Sequence, residues 1–361
     1  MTRRLLVSLT TLLALLLACS PVGGQRYSRN QAQKSLKKLE APGLVLGEFR
    51  ITKVIDGDTV KVDGLDSSLR LVGIDAEETF KKEANRRASE TDFAAYLIEK
   101  RAGHKRPVKI ESPMGEAAKQ WGIKFFEDVD VVRIERDDPT EIRDRYNRYL
   151  AYVLANKRGA WLNYNVELVR AGMSPYFPKY GYSRRFHHQF LDAQAEAKAA
   201  KRGIWAPGAM AANDYPEREA WWMARGAFVD EFRKAAATKP NYVELTRWDA
   251  MNQIEQMIGK EVVLLGTVNR VSYGQKGPSR VTLARGFSSD FPLIFFDRDV
   301  LGTSGLVEWE GEFVEVTGVP TLYENKHTHK KQLQIVVDRA SQIRLSAVPG
   351  LVAPTTQVSS P

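Results

Sequence analysis

Apolar and β-branched residues crowd two runs near the start of the chain, 54–62 and 69–78, separated by the polar stretch Asp63-Gly64-Leu65-Asp66-Ser67-Ser68. Two such runs around an Asp-Gly turn predict a β-hairpin. Further on, the pattern predicts helices over 88–101, 115–126 and 193–202, and strands over 129–136 and 149–155. Beyond Pro207 a helix over 217–236 and a shorter one over 248–258 precede strand-like runs at 260–268, 281–283, 291–296, 312–319 and 332–337, followed by Ile343. The implied class is α+β, mainly β, in two parts.

The hairpin concentrates charge. If Val62 faces Arg70 or Leu71, Asp58 falls opposite Ile74 or Asp75, and directly facing residues lie about 5 Å apart. Two carboxylates then converge, with Glu78 just past the strand and Arg70 on it. Like charges that close repel, so a cation is expected between them.

Taken together, these residues resemble the staphylococcal nuclease (thermonuclease) family. Val54-Ile55-Asp56-Gly57-Asp58-Thr59-Val60 and Arg70-Leu71-Val72-Gly73-Ile74-Asp75-Ala76-Glu77-Glu78 match two of its motifs. Asp144-Arg145-Tyr146-Asn147-Arg148-Tyr149-Leu150-Ala151-Tyr152-Val153 matches a third, and the helical 193–202 followed by Gly203-Ile204-Trp205 closes the resemblance. The resemblance implies an OB barrel with helices and a calcium-dependent phosphodiesterase acting on DNA and RNA. Asp58 and Asp75 would hold Ca2+ with the main-chain carbonyl of Ala76, since calcium takes hard oxygen ligands. Glu78 would activate water, and Arg70 and Arg148 would clamp the phosphate. Lys179, Tyr180 and Tyr182 stand where the family has lysine and aromatic contacts to the nucleotide. The chain departs from the family at Glu77, where proline is usual, and at Asn147, where glycine is usual. Glu77 could loosen the loop, become a second metal ligand, or raise the pKa of Glu78. A reading from another class is an envelope-anchored nucleic-acid or protein-binding adaptor with an inactive nuclease domain.

Charge and composition then divide the 361 residues, of net charge +9. Residues 1–18 read as a signal segment: Arg3-Arg4, an apolar run, and Leu16-Leu17-Ala18-Cys19, which resembles a bacterial lipobox with Cys19 as the lipidated residue. The expected location is the cell envelope, lipid-anchored through Cys19, on the outer membrane of a two-membrane cell. Residues 19–43 form a basic tether. The nuclease-like domain, 44–205, carries 29 basic and 25 acidic residues. Within it, 79–111 lies outside the family pattern and holds Lys100, Arg101, Lys105, Arg106 and Lys109, which either track a phosphate backbone or face solvent. Residues 206–241 are a connector in which Trp221 and Trp222 dock onto a neighbouring surface. Residues 242–346 resemble an OB-fold in strand order. With 17 basic and 18 acidic residues over 206–361, this part reads as a spacer or protein-contact module before a nucleic-acid grip; its protein partner is open. Residues 347–361 read as a disordered tail. The His327-Thr328-His329 pair reads as an exposed loop.

Overall fold

The computed structural model describes residues 43–351, apart from 145, 285–289 and 327. The signal segment, Cys19, nearly all of the tether, His327 and most of the tail lie outside the described residues.

In the first unit, β1 (Val45–Phe49) and β2 (Ile51–Asp56) are two halves of one run interrupted at Arg50. β2 pairs with β3 (Thr59–Val62), and β3 with β4 (Leu69–Leu71). The chain then forms helices α1 (Glu83–Thr91), α2 (Phe93–Arg101) and α3 (Pro113–Phe125). β5 (Val132–Glu135) returns to β1, and β6 (Tyr149–Lys157) lies antiparallel to β5 and parallel to β4. The path β1-β5-β6-β4-β3-β2 begins and ends on the same bent run. Ladder bonds do not join β1 to β2; the chain itself does. This is the partly open five-strand order of an OB-fold. β7 (Ala160–Asn163) extends it at β6, and α4 (Tyr164–Arg170) and α5 (His187–Ala199) cover it. Val60, Leu69, Ile74, Val132, Ile134, Ala151, Val153 and Phe190 fill the core.

A long helix, α6 (Tyr215–Ala236), leads to β8 (Tyr242–Glu244), α7 (Ala250–Gln256) and a second sheet. Its strands are β9 (Val262–Ser272), β10 (Ser279–Ala284) and β11 (Phe291–Phe295), then α8 (Arg298–Thr303), β12 (Phe313–Gly318), β13 (Pro320–Glu324), β14 (Lys331–Val336) and β15 (Ile343–Leu345). β12 and β13 are again halves of one run, parted at Val319, and β11 runs parallel to β14. The first unit's plan is repeated. Trp221 and Trp222 pack into this second core, and Arg225 on α6 is fully buried against Glu312. The second unit is docked on the first: Arg233 of α6 bonds Glu141 at 2.7 Å, and Arg106 donates to Pro349 O at 2.9 Å.

Two expectations are corrected. Thr59 faces Arg70, not Gly73 or Ile74, and Leu71 N–H donates to Asp58 O at 2.9 Å. The reason is that Asp56-Gly57-Asp58 is itself a turn, with Asp56 facing Thr59, so run 54–62 folds back on itself and β2-β3-β4 is a meander. The helix expected over 88–101 is two helices, broken at Asp92, whose extended backbone and side chain cap the second by accepting from Ala95 N–H at 2.9 Å.

Candidate active site

The meander places the acids on two turns that must touch. Gly57 makes this possible: a Cβ there would fall 2.7 Å from Ala76 Cβ and 2.9 Å from Ala118 Cβ. Tyr164 OH donates to Gly57 O at 3.1 Å, and Ser174 Oγ accepts from Asp75 N–H at 2.9 Å, which pins both turns. The Glu78 loop is clipped to residues 110–112 by Glu78 N–H to Ile110 O (2.9 Å) and Ser112 N–H to Glu78 O (3.0 Å). Helix α3 presses on it so closely that a Cβ at Gly115 would lie 2.1 Å from Glu78 O.

Cations fill the space between the acids, as the repulsion argument requires. Arg70 reaches Asp58 at 2.5 Å and Asp75 at 2.9 Å. Lys109 Nζ lies 2.9 Å from Asp58, 3.3 Å from Asp75 and 2.7 Å from Glu78, while Lys81 holds the other Glu78 oxygen at 2.6 Å. Burial works to raise the Asp58 carboxyl, but Arg70 and Lys109 outweigh it and hold it well below the usual carboxylate range. Burial likewise opposes, and Lys109 overcomes, in lowering Glu78. Asp56, next to Asp58, is pushed up by burial and by that neighbouring charge. The family's calcium can be tested against this donor set. Asp58 and Asp75, with Glu78 beside them, offer the hard oxygens it takes. Among the described residues no group of three or more His, Cys, Asp or Glu side chains is placed as an ion would need, and Lys109 Nζ stands between these acids.

Other expected residues are placed less centrally. Arg148 is bound by Asp144 at 2.6 Å, and Asn147 before it has φ +68°, the left-handed backbone that the family's glycine would adopt. Leu150 faces Arg70 across β6 and β4, and Arg148 stands immediately before β6. Lys179 Nζ sits 4.3 Å over the Trp221 ring, and its pKa is lowered to about 8 by burial and by Arg225. Tyr180 is exposed and interacts electrostatically with Arg70. Tyr182 is not brought to the carboxylates. It stacks on His187 at 4.2 Å and donates to Met223 O at 3.4 Å, fastening the loop to α6.

Glu77 corrects the expectation of a looser loop or a second metal ligand. It points away from the site into a buried pocket, where it accepts from Ser112 Oγ, from Ala212 N–H at 2.7 Å and from Tyr215 OH at 2.7 Å. Burial raises its pKa. Residues of the basic cluster of 79–111 find acidic partners, while Lys105 is exposed. Arg101 pairs with Asp214 and Glu217, Arg106 lies 3.6 Å from Glu312, and Lys109 enters the acid cluster. Sequence reasoning missed Lys109 as a site residue because 31 positions separate it from Glu78. Its place follows only from the clip that holds residue 110 against Glu78.

A profile described as Staphylococcal nuclease homologue matches residues 68–207. The thermonuclease of Staphylococcus intermedius is 31% identical over 169 residues, spanning 45% of this chain and 78% of that protein. The chain belongs to the staphylococcal nuclease family. The thermonuclease of Staphylococcus hyicus is 29% identical over 163 residues (44% and 75% of the two chains). An uncharacterized protein of Methanocaldococcus jannaschii is 30% identical over 167 residues (43% and 70%). In this staphylococcal nuclease homologue the matched span includes Arg70, Asp75, Glu78 and Arg148, while Asp58 lies just ahead of it. Glu77 finds Ala212 and Tyr215 beyond its end.

Proposed function

We propose that this nuclease hydrolyses phosphodiester bonds of DNA and RNA with calcium as cofactor. The observation that carries the reading is the convergence of Asp58, Asp75 and Glu78 on one cation-filled point beside Arg70. Asp58, Asp75 and the carbonyl of Ala76 would hold the ion, which when bound supplies charge to offset that of the phosphate. Arg70, buried and forked between two acids, is preorganised to donate to phosphoryl oxygens as charge builds. Arg148, held by Asp144, would be the second clamp on the phosphate. Glu78 would accept the proton of the attacking water once its lysine partners release it. Tyr180, exposed beside Arg70, and Lys179 would meet the neighbouring nucleotide. The test is to incubate residues 25–361 with single- and double-stranded DNA and RNA, with calcium or with a chelator. Cleavage in calcium that stops on chelation is expected; full cleavage in chelator refutes the metal role.

The proposed location is the cell envelope, with the chain anchored through a lipidated Cys19. Its support is Leu16-Leu17-Ala18-Cys19 after an apolar run led by Arg3-Arg4. One acyl chain binds a membrane only marginally, at about 0.8 kcal/mol per buried methylene, so stable anchoring takes several chains. Wild type should fractionate with membranes and Cys19→Ala should not. Equal solubility and processing of both would overturn the anchor.

A further inference from the structure

Lys109 Nζ occupies the space between Asp58 and Asp75, the two acids read above as the calcium ligands. The ammonium donates to Asp58 at 2.9 Å and to Glu78 at 2.7 Å and lies 3.3 Å from Asp75, so acids of both turns surround it. An ammonium so surrounded and a metal ion sharing the same oxygens cannot be present together. One of the site's cations must therefore leave before an ion enters. Arg70 is poorly suited to leave: its side chain is 13% exposed, its fork grips Asp58 and Asp75 at once, and the Phe177 ring lies 5.9 Å away. Lys109 is 33% exposed and carries a point charge on a flexible four-carbon stem.

The backbone around Lys109 is fixed, so the side chain can move alone. Val108 O accepts from Arg218 of α6 at 2.6 Å, and Ile110 is buried among Ile204, Ala211, Ala212 and Tyr215. Ile110 O is also the acceptor of the Glu78 clip. A cation tethered this way is present at every moment, unlike one in solution.

We propose that Lys109 is an intramolecular competitor for the metal site, occupying the Asp58–Asp75–Glu78 cluster until a divalent ion displaces its side chain. The inference rests on the calcium reading above and deepens it. A site open only in the fraction of molecules whose lysine has swung out binds its ion more weakly by that fraction. Removing the ammonium while keeping the stem length should remove this penalty.

The experiment titrates the full chain with calcium chloride alone, by calorimetry without nucleic acid, for wild type and Lys109→Met. Calcium should bind Lys109→Met at least tenfold more tightly. In parallel, wild type is treated with an acetylating reagent, with and without saturating calcium, and Lys109 modification is measured by mass spectrometry. This arm needs no variant, and modification should rise severalfold in calcium. Equal or weaker calcium binding by Lys109→Met, or unchanged labelling of Lys109, overturns the competition while leaving the calcium reading in place. No binding heat from either protein overturns both.

Discussion

Replacing Glu77 with alanine should cost this protein stability out of proportion to a single side chain. The carboxylate is 6% exposed and gathers three donors: Ser112 Oγ, Ala212 N–H and Tyr215 OH. Ser112 can turn its hydroxyl elsewhere, but the Ala212 amide and Tyr215 phenol would be left buried without an acceptor. Each orphaned buried donor costs about 1–3 kcal/mol. Part is returned because a buried carboxylate is itself poorly solvated. The expected net loss is about 3 kcal/mol, read as a shift of the urea midpoint at pH 7 followed by tryptophan fluorescence. Tyr215→Phe should cost about 1 kcal/mol in wild type and close to nothing on top of Glu77→Ala, the coupling of a shared bond. The pH dependence has a definite sign. Burial raises the folded pKa of Glu77, so the folded state keeps that proton to higher pH than the unfolded state does. This group's contribution therefore falls as pH rises from the ordinary carboxylate value to the raised one, and Glu77→Ala removes that slope. A midpoint shift worth less than about 0.5 kcal/mol, or additive losses in the double variant, would refute the reasoning.

Arg148→Lys should lower kcat by orders of magnitude with the fold intact by circular dichroism, because lysine loses the paired bonds that strengthen in the transition state; wild-type kcat would remove Arg148 from the clamp. Gly57→Ala should reduce activity and stability together, since its Cβ would meet Ala76 and Ala118 within 3 Å; an unchanged melting temperature and rate would show that the two acid-bearing turns need not touch. Lys179, lowered to about 8 by burial and Arg225, should lose its charge on the alkaline side, so KM for nucleic acid should rise above that pH in wild type and stay level in Lys179→Met. Because its folded pKa lies below the ordinary one, Lys179 is a cost to folding at pH 7 that is relieved as pH rises past 8. Lys179→Met should then melt higher at pH 7; a lower melting temperature contradicts it.

Legibility in the sequence followed the range of the interactions. The acids of the meander could be read because Asp58, Arg70, Asp75 and Glu78 fall within one short stretch with its own motifs. Their register could not, because the Asp56-Gly57-Asp58 turn and the Asp63-Gly64 turn carry the same local signal, and only the pairing of β4 with β6 fixes the order of the strands. The five-strand plan of the second unit was visible in its apolar runs. β13 was missed because its residues after Pro320 are exposed and show no buried alternation. Lys109 and Glu77 were misread for a common reason: their partners come from segments far along the chain, and charge type alone does not reveal which partner a side chain will find. Tyr182 sits in an aromatic loop whose composition suits a nucleotide platform or a packing surface equally, and α6 claims it.

The attachment of Glu77 to Ala212 and Tyr215 also gives the chain an order of events. A polypeptide made from its N-terminus completes every strand of the first sheet before residue 212 exists. During that interval the loop bearing Glu78 has its clip to Ile110 and Ser112 but lacks its brace from the other side. Here the last support of the loop bearing Glu78 arrives only with the helix that begins at Tyr215, after every strand of the first sheet has been made.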